Sequence, residues 1–440
     1  MSKPKIGVVG LWHLGCIIAA TWSKLGCEVR GIDFEELNVI NLSKGQPPIY
    51  EPELQETIQL SLEKGLLSFY QDPAHLRDCS FVFLAYDTPV RDDDSSDISL
   101  LEETIEAIAS HLAPKTILIV SAQLPVGTAR QFRNKLKAVD PSLEVVYSPE
   151  NLRLGEAINC YLNPGHIVIG ADEPQAGQAV AELFSPMQAE CLFMNLPSAE
   201  MTKHGINSFL AASITLANQW ADICTAVGAD FAQVAAAMKC DPRIGKRAYL
   251  SAGIGFSGGT LGRDLQVLEG INQQIGDQSP IFGDIWQYNK ARVKVVGKVA
   301  EDALGNLQGK TITLLGMTYK PGTSTLRRSL PLEVAYDLVA RGALIRAYDP
   351  KADWSEAQLP ERFESFASVY EAVEKADLVV LLTEWLEFKS LDFSEILKRM
   401  EETIFFDTKS FLLERFEEME SLGFTVLSIG RSPDNLKERS

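Results

Sequence analysis

Short apolar runs alternate with amphipathic stretches over roughly the first 150 residues of the chain. The apolar runs predict buried β-strands at Lys5–Gly10, Glu28–Asp33, Phe81–Ala85, Thr116–Val120 and Val145–Tyr147. The stretches between them have the apolar spacing of helices. Because strands and helices alternate, this region is predicted to form a parallel sheet with helices on both faces.

The same alternation returns towards the C-terminus, where strands are predicted at Thr311–Gly316, Leu344–Asp349, Leu378–Thr383, Ile404–Asp407 and Thr425–Ile429. Between the two regions, apolar residues recur three and four positions apart from Pro197 to Val227, which predicts one long helix. The pattern therefore predicts an α/β protein in which helices connect two lobes.

Five glycines in ten positions interrupt the helical pattern at residues 253–262, GIGFSGGTLG. A flexible linker would be richer in serine and other polar residues, whereas this segment contains Phe256 and Leu261. Glycine lets a backbone approach a ligand closely. We therefore interpret the segment as a binding loop.

Composition narrows the classes of function. The 440 residues include 41 basic and 59 acidic side chains, a net charge of −18, which opposes binding to nucleic acid. No apolar run is long enough to cross a membrane, and the N-terminus lacks a signal-peptide pattern, so we expect a cytoplasmic protein. The seven cysteines show no CxxC spacing, so neither a metal site nor a disulfide framework is predicted.

The first strand, helix and second strand carry an incomplete dinucleotide fingerprint. Gly10 and Gly15 occupy its first and third glycine positions, but Trp12 stands at the second. Asp33 follows the second strand where a residue that binds the adenosine ribose is expected, and two glutamates after it would repel a 2′-phosphate. The unit predicts binding of NAD in preference to NADP. A structural βαβ unit that binds nothing is the alternative.

Further motifs extend over nearly the whole chain, and in order and spacing they resemble those of the UDP-glucose/GDP-mannose dehydrogenase family. They include PPIYEPEL (47–54), DTPV (87–90), SPENLRLGEA (148–157), AEMTKHGINSFLA (199–211), DPRIG (241–245), GFSGGTLGRD (255–264) and GMTYKPGTSTLRRS (316–329).

The resemblance implies a fold of three parts: an NAD-binding Rossmann domain (1–197), a central helical dimerisation region (198–300) and a Rossmann-like nucleotide-sugar domain (301–440). It also implies a homodimer. Members of the family oxidise the C6 alcohol of a nucleotide sugar to a carboxylate with two NAD. Their reaction passes through an aldehyde, a cysteine thiohemiacetal and a thioester.

Site residues follow from the resemblance position by position. Lys203 and Asn207 would polarise and hydrogen-bond the reacting C6 oxygen, and their spacing places both on one helix face. Asp264 would orient or activate water, and Glu150 would lie near the sugar and the nicotinamide. Thr88, Arg263 and Arg327 match cofactor contacts, and the positions that match contacts to the sugar or its diphosphate are Arg243, Tyr249, Gly253, Lys320 and Lys409. Without the resemblance, Lys203 would be interpreted as an ordinary solvated lysine.

The chain departs from the family at the catalytic nucleophile. Thr260 stands where the family has its reactive cysteine, and a threonine hydroxyl lacks the nucleophilicity of a thiolate near neutral pH. Cys160 is a candidate for a relocated nucleophile, although a buried spectator is the simpler interpretation. Leu154, Gln123 and Ser213 also differ from residues common in the family.

Three hypotheses remain open at this point. We favour an NAD-dependent oxidoreductase that acts on the primary alcohol of a nucleotide sugar, with a UDP-hexose as its ligand. The first alternative is an alcohol dehydrogenase that stops at the aldehyde or acts on another phosphorylated alcohol. The second is a non-catalytic paralogue that binds nucleotide sugar. Counting the NADH formed per substrate separates them, because they predict two, one and none.

Overall fold

The computed structural model describes residues 3–86, 97–149, 152–153 and 155–431 of the chain. The chain divides into two compact units, Met1–Ile206 and Asn207–Ser440. Helix bounds in the first unit are α1 (His13–Lys24), α2 (Glu36–Ser43), α3 (Leu54–Glu63), α4 (Ser99–Ala109), α5 (Thr128–Val139), α6 (Ala157–Leu162) and α7 (Pro174–Phe184).

An eight-stranded sheet forms the centre of the first unit. Its strands are β1 (Lys5–Val9), β2 (Glu28–Ile32), β3 (Leu67–Tyr70), β4 (Phe81–Leu84), β5 (Ile117–Val120), β6 (Glu144–Tyr147), β7 (Ile167–Ala171) and β8 (Cys191–Met194). They lie in the order β3-β2-β1-β4-β5-β6-β7-β8. Successive side chains of β4 enter different cores: Phe83 packs on the α1 side, and Val82 and Leu84 on the α4–α5 side.

One pair in this sheet differs from the predicted parallel arrangement, because β6 and β7 are antiparallel. The chain leaves β6 and enters β7 at the same end of the sheet, so it reverses direction there. Every other neighbouring pair in the sheet is parallel.

The second unit contains a six-stranded parallel sheet in the order β11-β10-β9-β12-β13-β14. Its strands are β9 (Thr311–Leu315), β10 (Leu344–Tyr348), β11 (Phe363–Ser365), β12 (Leu378–Leu381), β13 (Ile404–Asp407) and β14 (Thr425–Ser428). Helix bounds are α9 (Phe231–Cys240), α10 (Thr260–Gln274), α11 (Ile281–Arg292), α12 (Lys294–Leu304), α13 (Leu330–Ala340), α14 (Val369–Ala372), α15 (Phe393–Arg399) and α16 (Phe416–Leu422).

The long helix predicted from residue 197 to residue 227 is confirmed as α8 (Leu196–Val227), and residues of both units belong to it. The predicted α/β fold with two doubly wound sheets is confirmed too. Four strands were not predicted: β3, β7, β8 and β11. Two of them, β8 and β11, are edge strands without a fully buried residue, so they lack the continuous apolar run that marks a central strand. Within the described residues, no helix combines the length and apolar character that a membrane span requires.

Candidate active site

The turn between β1 and α1 leaves no room for side chains at its two glycines. Gly10 has a φ of +89°, and a Cβ atom there would lie 2.8 Å from the ring of Tyr86. A Cβ atom at Gly15 would lie 1.7 Å from the carbonyl oxygen of Gly10. Burial raises the pKa of the Tyr86 phenol, which therefore stays protonated beneath the turn. Both glycines thus permit the close packing of helix on strand that a dinucleotide turn requires.

Trp12 occupies the second fingerprint position without strain. It is the N-cap of α1 with a φ of −85°, a value that any L-residue adopts, and its side chain is 49% exposed. Within the described residues no side chain caps α1, so the N–H groups of its first turn can receive an anionic group. The backbone conformation at Trp12 therefore does not itself require glycine, and the first turn of α1 offers its N–H groups to an anion such as a pyrophosphate.

Asp33 is buried at the end of β2 and already organises the turn. Its Oδ2 accepts hydrogen bonds from the Leu11 N–H at 2.8 Å and the Asn38 amide at 3.0 Å, and its Oδ1 accepts one from the Glu35 N–H at 3.0 Å. A carboxylate has about four acceptor positions, so these described partners leave about one for a ribose hydroxyl. Glu35 and Glu36 beside it are exposed, as expected for residues that would repel a 2′-phosphate.

The sequence marks Glu51 only as part of the motif PPIYEPEL (47–54), yet its side chain connects three segments of the first unit. Its buried carboxylate lies 3.0 Å from Nε2 of His13 in the turn, and it accepts hydrogen bonds from the N–H groups of Gly155 and Ala157 at 3.0 and 2.9 Å. Those groups lie before and at the start of α6. Nothing local in the sequence indicates these contacts, because Glu51 and Ala157 are far apart in the chain.

Helix α8 carries Lys203 and Asn207 one turn apart, as predicted. Lys203 is only 8% exposed, so the interpretation as a solvated surface lysine is wrong. The Asn207 amide donates a hydrogen bond to Oδ2 of Asp264 at 2.5 Å. Asp264 is fully buried, and this contact joins two of the predicted catalytic residues directly.

Thr260 is the first residue of α10, and its side chain lies in an exposed position. Asp264 follows one turn later on the same helix. Arg263 is buried, with its Nε 3.8 Å from Oδ1 of Asp264. The glycine-rich segment therefore consists of an irregular part that ends at Gly259 and a helical part in which Thr260 occupies the N-terminal position.

A cavity of about 340 Å³ in the second unit brings together Tyr249, Gly253, Lys320 and Lys409, all four of which the sequence assigned to substrate. The predicted binding loop lines it through residues 253–257 and 261. The Asn289 side chain fixes this loop by hydrogen bonds to the backbone N–H and C=O of Phe256, at 2.8 and 3.0 Å.

Two residues of the cavity region were not predicted. Glu384 accepts a hydrogen bond from Nζ of Lys409 at 2.6 Å, and Asn218 accepts one from the Gly253 N–H at 2.7 Å. Behind Lys409, the Asp407 carboxyl accepts hydrogen bonds from the backbone N–H groups of Lys409 and Leu412. Burial raises the pKa of this carboxyl. The cavity thus contains a cation that its own chain already holds by a carboxylate.

Other predicted site residues stay predictions. Arg243 is 88% exposed and pairs with Asp241, and Arg327 is exposed, so neither is among the residues that line the cavity. Thr88 and Glu150 lie outside the described residues, as does Leu154.

Comparison with known proteins decides the family. Residues 4–188, 197–291 and 313–414 match three sequence models of the UDP-glucose/GDP-mannose dehydrogenase family: its NAD binding domain, its central domain and its UDP binding domain. UDP-glucose 6-dehydrogenase TuaD of Bacillus subtilis is 32% identical over 97% of this chain and 93% of its own length. The chain belongs to this family.

Further relatives agree with this membership. The UDP-glucose 6-dehydrogenase of Rhizobium meliloti is 32% identical over 98% of this chain and 100% of its own length. The solved structure of a UDP-glucose dehydrogenase from Pyrobaculum islandicum covers 98% of both chains with a TM-score of 0.87 and 26% identity. The predicted family, its NAD cofactor and its assignment to NAD-dependent dehydrogenases of nucleotide sugars are thereby confirmed.

Proposed function

We propose that this chain oxidises the C6 primary alcohol of a UDP-hexose with NAD. The observation that carries the proposal is the cavity in the second unit, where Tyr249, Gly253, Lys320 and Lys409 line one space. Lys320 and Lys409 suit the diphosphate of such a substrate, because ammonium groups bind phosphate as point charges, and Glu384 holds the Lys409 ammonium in place at the cavity. The similarity to UDP-glucose 6-dehydrogenases favours UDP-glucose among the hexoses.

The residues of the first unit would hold NAD as the fingerprint predicts. The N-terminus of α1 would bind its pyrophosphate, and Asp33 would bind the adenosine ribose through its remaining acceptor position. When bound, NAD accepts the hydride that C6 loses. In our proposal Thr88, Arg263 and Arg327 contact the cofactor, and Glu150 lies near the nicotinamide.

Catalysis of the first oxidation needs no thiol in this proposal. Lys203 lowers the cost of negative charge on the C6 oxygen, and Asn207 positions that oxygen by a hydrogen bond. Asp264 holds the Asn207 amide in place and orients the water that attacks the aldehyde. Arg243 reaches the substrate from a second copy of the chain.

Thr260 prevents an enzyme-bound thioester in our proposal. Its hydroxyl stands at the exposed start of α10 with a pKa far above that of a thiol, so it cannot capture the aldehyde as a cysteine would. The oxidation therefore either stops at the aldehyde or continues through the aldehyde hydrate, which is itself a hydride donor.

The test measures NADH formed per UDP-glucose consumed, with and without a hydroxylamine reagent that traps aldehydes. We expect trappable aldehyde during turnover of the native chain. Thr260→Cys should shift the product towards carboxylate, because a helix N-terminus lowers the pKa of a cysteine thiol. Thr260→Ser keeps a hydroxyl and serves as the matched control. Rapid formation of uronate with two NADH and no trappable aldehyde would refute the role of Thr260, and Cys160→Ser would then test the other candidate nucleophile.

We further propose a homodimer built on α8. Four apolar side chains follow one face of this helix at intervals of seven, seven and four residues and are exposed: Phe209, Leu216, Ile223 and Val227. Such a stripe is typical of a helix that packs on another copy. Sedimentation should give a dimer at micromolar concentration and a monomer for the double variant Phe209→Glu with Ile223→Glu. A stable monomer of the native chain would contradict the dimer.

The cytoplasmic location predicted from the sequence also remains a proposal.

A further inference from the structure

The second unit contains another cavity, separate from the one assigned to substrate. Its volume is about 930 Å³, compared with about 340 Å³, and among the described residues the two cavities share no lining side chain. The end of α8, helices α11 and α12, and strands β13 and β14 form its walls. Its volume is that of a site for a small organic molecule.

The lining of this cavity combines an apolar floor with a rim of exposed charged side chains. Phe406, Phe416 and Val426 are buried in the floor, whereas Lys294 and Lys298 lie one turn apart on the exposed face of α12. Counted together, the charged lining residues are five cations and three carboxylates: Arg292, Lys294, Lys298, Arg341 and Arg431, against Asp222, Glu301 and Asp302. Arg292, Arg341 and Arg431 are paired with Asp222, Asp337 and Asp230, whereas no carboxylate among the described residues pairs with Lys294 or Lys298. These two lysines beside an apolar floor favour an anion with an apolar body.

Arg292 gives the anion a specific partner. Its side chain is 4% exposed, and its Nη1 pairs with Asp222. Its Nη2 is buried and meets no acceptor in hydrogen-bond geometry among the described residues. The hydroxyl of Tyr288, which lines the same cavity, lies beside Arg292 and also lacks a partner in such geometry there. A buried N–H group without an acceptor is unfavourable, and a ligand oxygen would satisfy it. The chemistry therefore indicates a carboxylate or a phosphate.

The same side chain also contacts the backbone of the substrate cavity. Nε of Arg292 donates a hydrogen bond to the carbonyl oxygen of Gly253 at 3.0 Å. Gly253 lines the substrate cavity beside Lys409, whose Cγ would lie 3.2 Å from a Cβ atom at Gly253. A ligand that changes the position of Arg292 therefore changes a wall of the substrate cavity.

We propose that the larger cavity is an effector site for a small organic anion with an apolar body, and that Arg292 couples it to the substrate cavity. The site itself is independent of the enzymatic assignment. Its coupling to substrate rests on the proposed function, because it assumes that the nucleotide sugar binds beside Gly253.

The test uses the fluorescent organic anion 1-anilinonaphthalene-8-sulfonate, titrated into the full chain with and without saturating UDP-glucose. We expect one saturable site per chain that persists when UDP-glucose is present, with a dissociation constant changed by about threefold or more. The double variant Lys294→Glu with Lys298→Glu should weaken dye binding about tenfold or more. Lys398→Glu reverses an exposed charge on α15, outside the cavity, and should change it less than about twofold.

Three outcomes would overturn the site. Competitive displacement of the dye by UDP-glucose would place the dye in the substrate cavity. Equal weakening by the Lys398 variant would show unspecific attraction to positive charge. Dye binding that falls as the protein concentration rises would identify a second copy of the chain as the occupant.

Arg292→Lys tests the coupling separately. Lysine keeps the positive charge but lacks the planar guanidinium group, whose Nε donates to Gly253 and whose Nη2 would donate to the ligand. We expect dye binding weakened about threefold or more, because the Nη2 donor is lost, and no remaining effect of UDP-glucose on the dye affinity. A retained effect would overturn the role of Arg292. If Arg292→Lys shows no cooperative unfolding transition and is therefore not folded, the double variant Lys294→Glu with Lys298→Glu still tests the anion site. A chain that binds the dye but no UDP-glucose would contradict the proposed function and leave the anion site standing.

Discussion

The two units begin their sheets with the same turn and use it differently. In each, a glycine of positive φ follows the first central strand, and its N–H donates to the last carbonyl of the neighbouring strand: Gly10 to Ile32 at 2.9 Å, and Gly316 to Tyr348 at 2.8 Å. In each, an aspartate follows that neighbouring strand. Asp33 and Asp349 therefore occupy equivalent positions.

The difference lies in what satisfies the two carboxylates. Among the described residues, Asp33 accepts three hydrogen bonds from its own chain. Asp349 accepts six, from the N–H groups of Met317, Thr318, Lys351 and Ala352, the Thr318 hydroxyl and the Trp385 indole. The second carboxylate has no acceptor position left for a ribose.

The helices differ as well. Helix α1 begins three residues after Gly10, whereas α13 begins at Leu330, after a long loop that contains Lys320. The first turn therefore offers a helix N-terminus and a carboxylate to a dinucleotide, and the second offers a basic side chain to a cavity. In our proposal, one backbone frame thus serves two kinds of ligand through the loop that follows its glycine.

The largest expected effect tests the close packing of the first turn. Gly15→Ala places a methyl group 1.7 Å from the Gly10 carbonyl oxygen, so backbone must move. We expect a loss of more than about 3 kcal/mol in the free energy of unfolding, measured by chemical denaturation. Gly270→Ala is the matched control, because nothing lies within 4 Å of its Cβ position in α10, and it should gain about 0.5–1 kcal/mol. Similar stabilities of both variants would refute the packing argument.

The second effect concerns Asp349. Asp349→Ala leaves six donors without their acceptor, so we expect a loss of about 3 kcal/mol in unfolding free energy. Calorimetric titration should give NAD affinity within about twofold of the native chain. Weakened NAD binding in a folded Asp349→Ala chain would mean that the two turns are not functionally separate.

Asp33→Ala should show the opposite pattern. We expect NAD affinity to fall more than about tenfold, a loss of roughly 1.5–3 kcal/mol, since a charge-assisted hydrogen bond to the ribose disappears. The discrimination against NADP should also weaken, which parallel titrations would measure. Equal affinity of the native chain for NAD and NADP would refute the assignment of Asp33 to the adenosine ribose.

The smallest expected effect concerns a surface ion pair in the first unit. Arg130 holds Asp172 by two hydrogen bonds at 2.8 and 3.0 Å, and this contact lowers the pKa of the Asp172 carboxyl. A lowered folded pKa contributes stability above the unfolded pKa, which is lost as the pH falls through the folded value. Asp172→Asn should therefore cost about 0.5–1 kcal/mol at pH 7, and the difference from the native chain should vanish once acid has protonated the Asp172 carboxyl in the folded chain. A difference that persists in acid would indicate a contribution other than the charge.

The sequence predicted most of the central strands because each is a continuous apolar run, but it missed β7, which is also a buried apolar run between β6 and β8. It predicted α8 because the apolar spacing of that helix persists over several turns. It did not predict β8 and β11, which have few buried side chains. In the site, Asp33 followed from spacing alone. The contacts of Glu51 with Ala157, and of Arg292 with Gly253, join residues far apart in the chain, and no local pattern marks such partners.

Helix α8 limits how this protein can be divided. Its 32 residues extend about 48 Å, and the boundary between the compact units, after Ile206, falls inside it. A gene split at that boundary would leave each half with a new helix end whose backbone groups lack partners, between Lys203 on one fragment and Asn207 on the other. Fragment complementation or circular permutation should therefore open the chain elsewhere, for example in the exposed turn at Gly305 and Asn306, where the cut severs no helix.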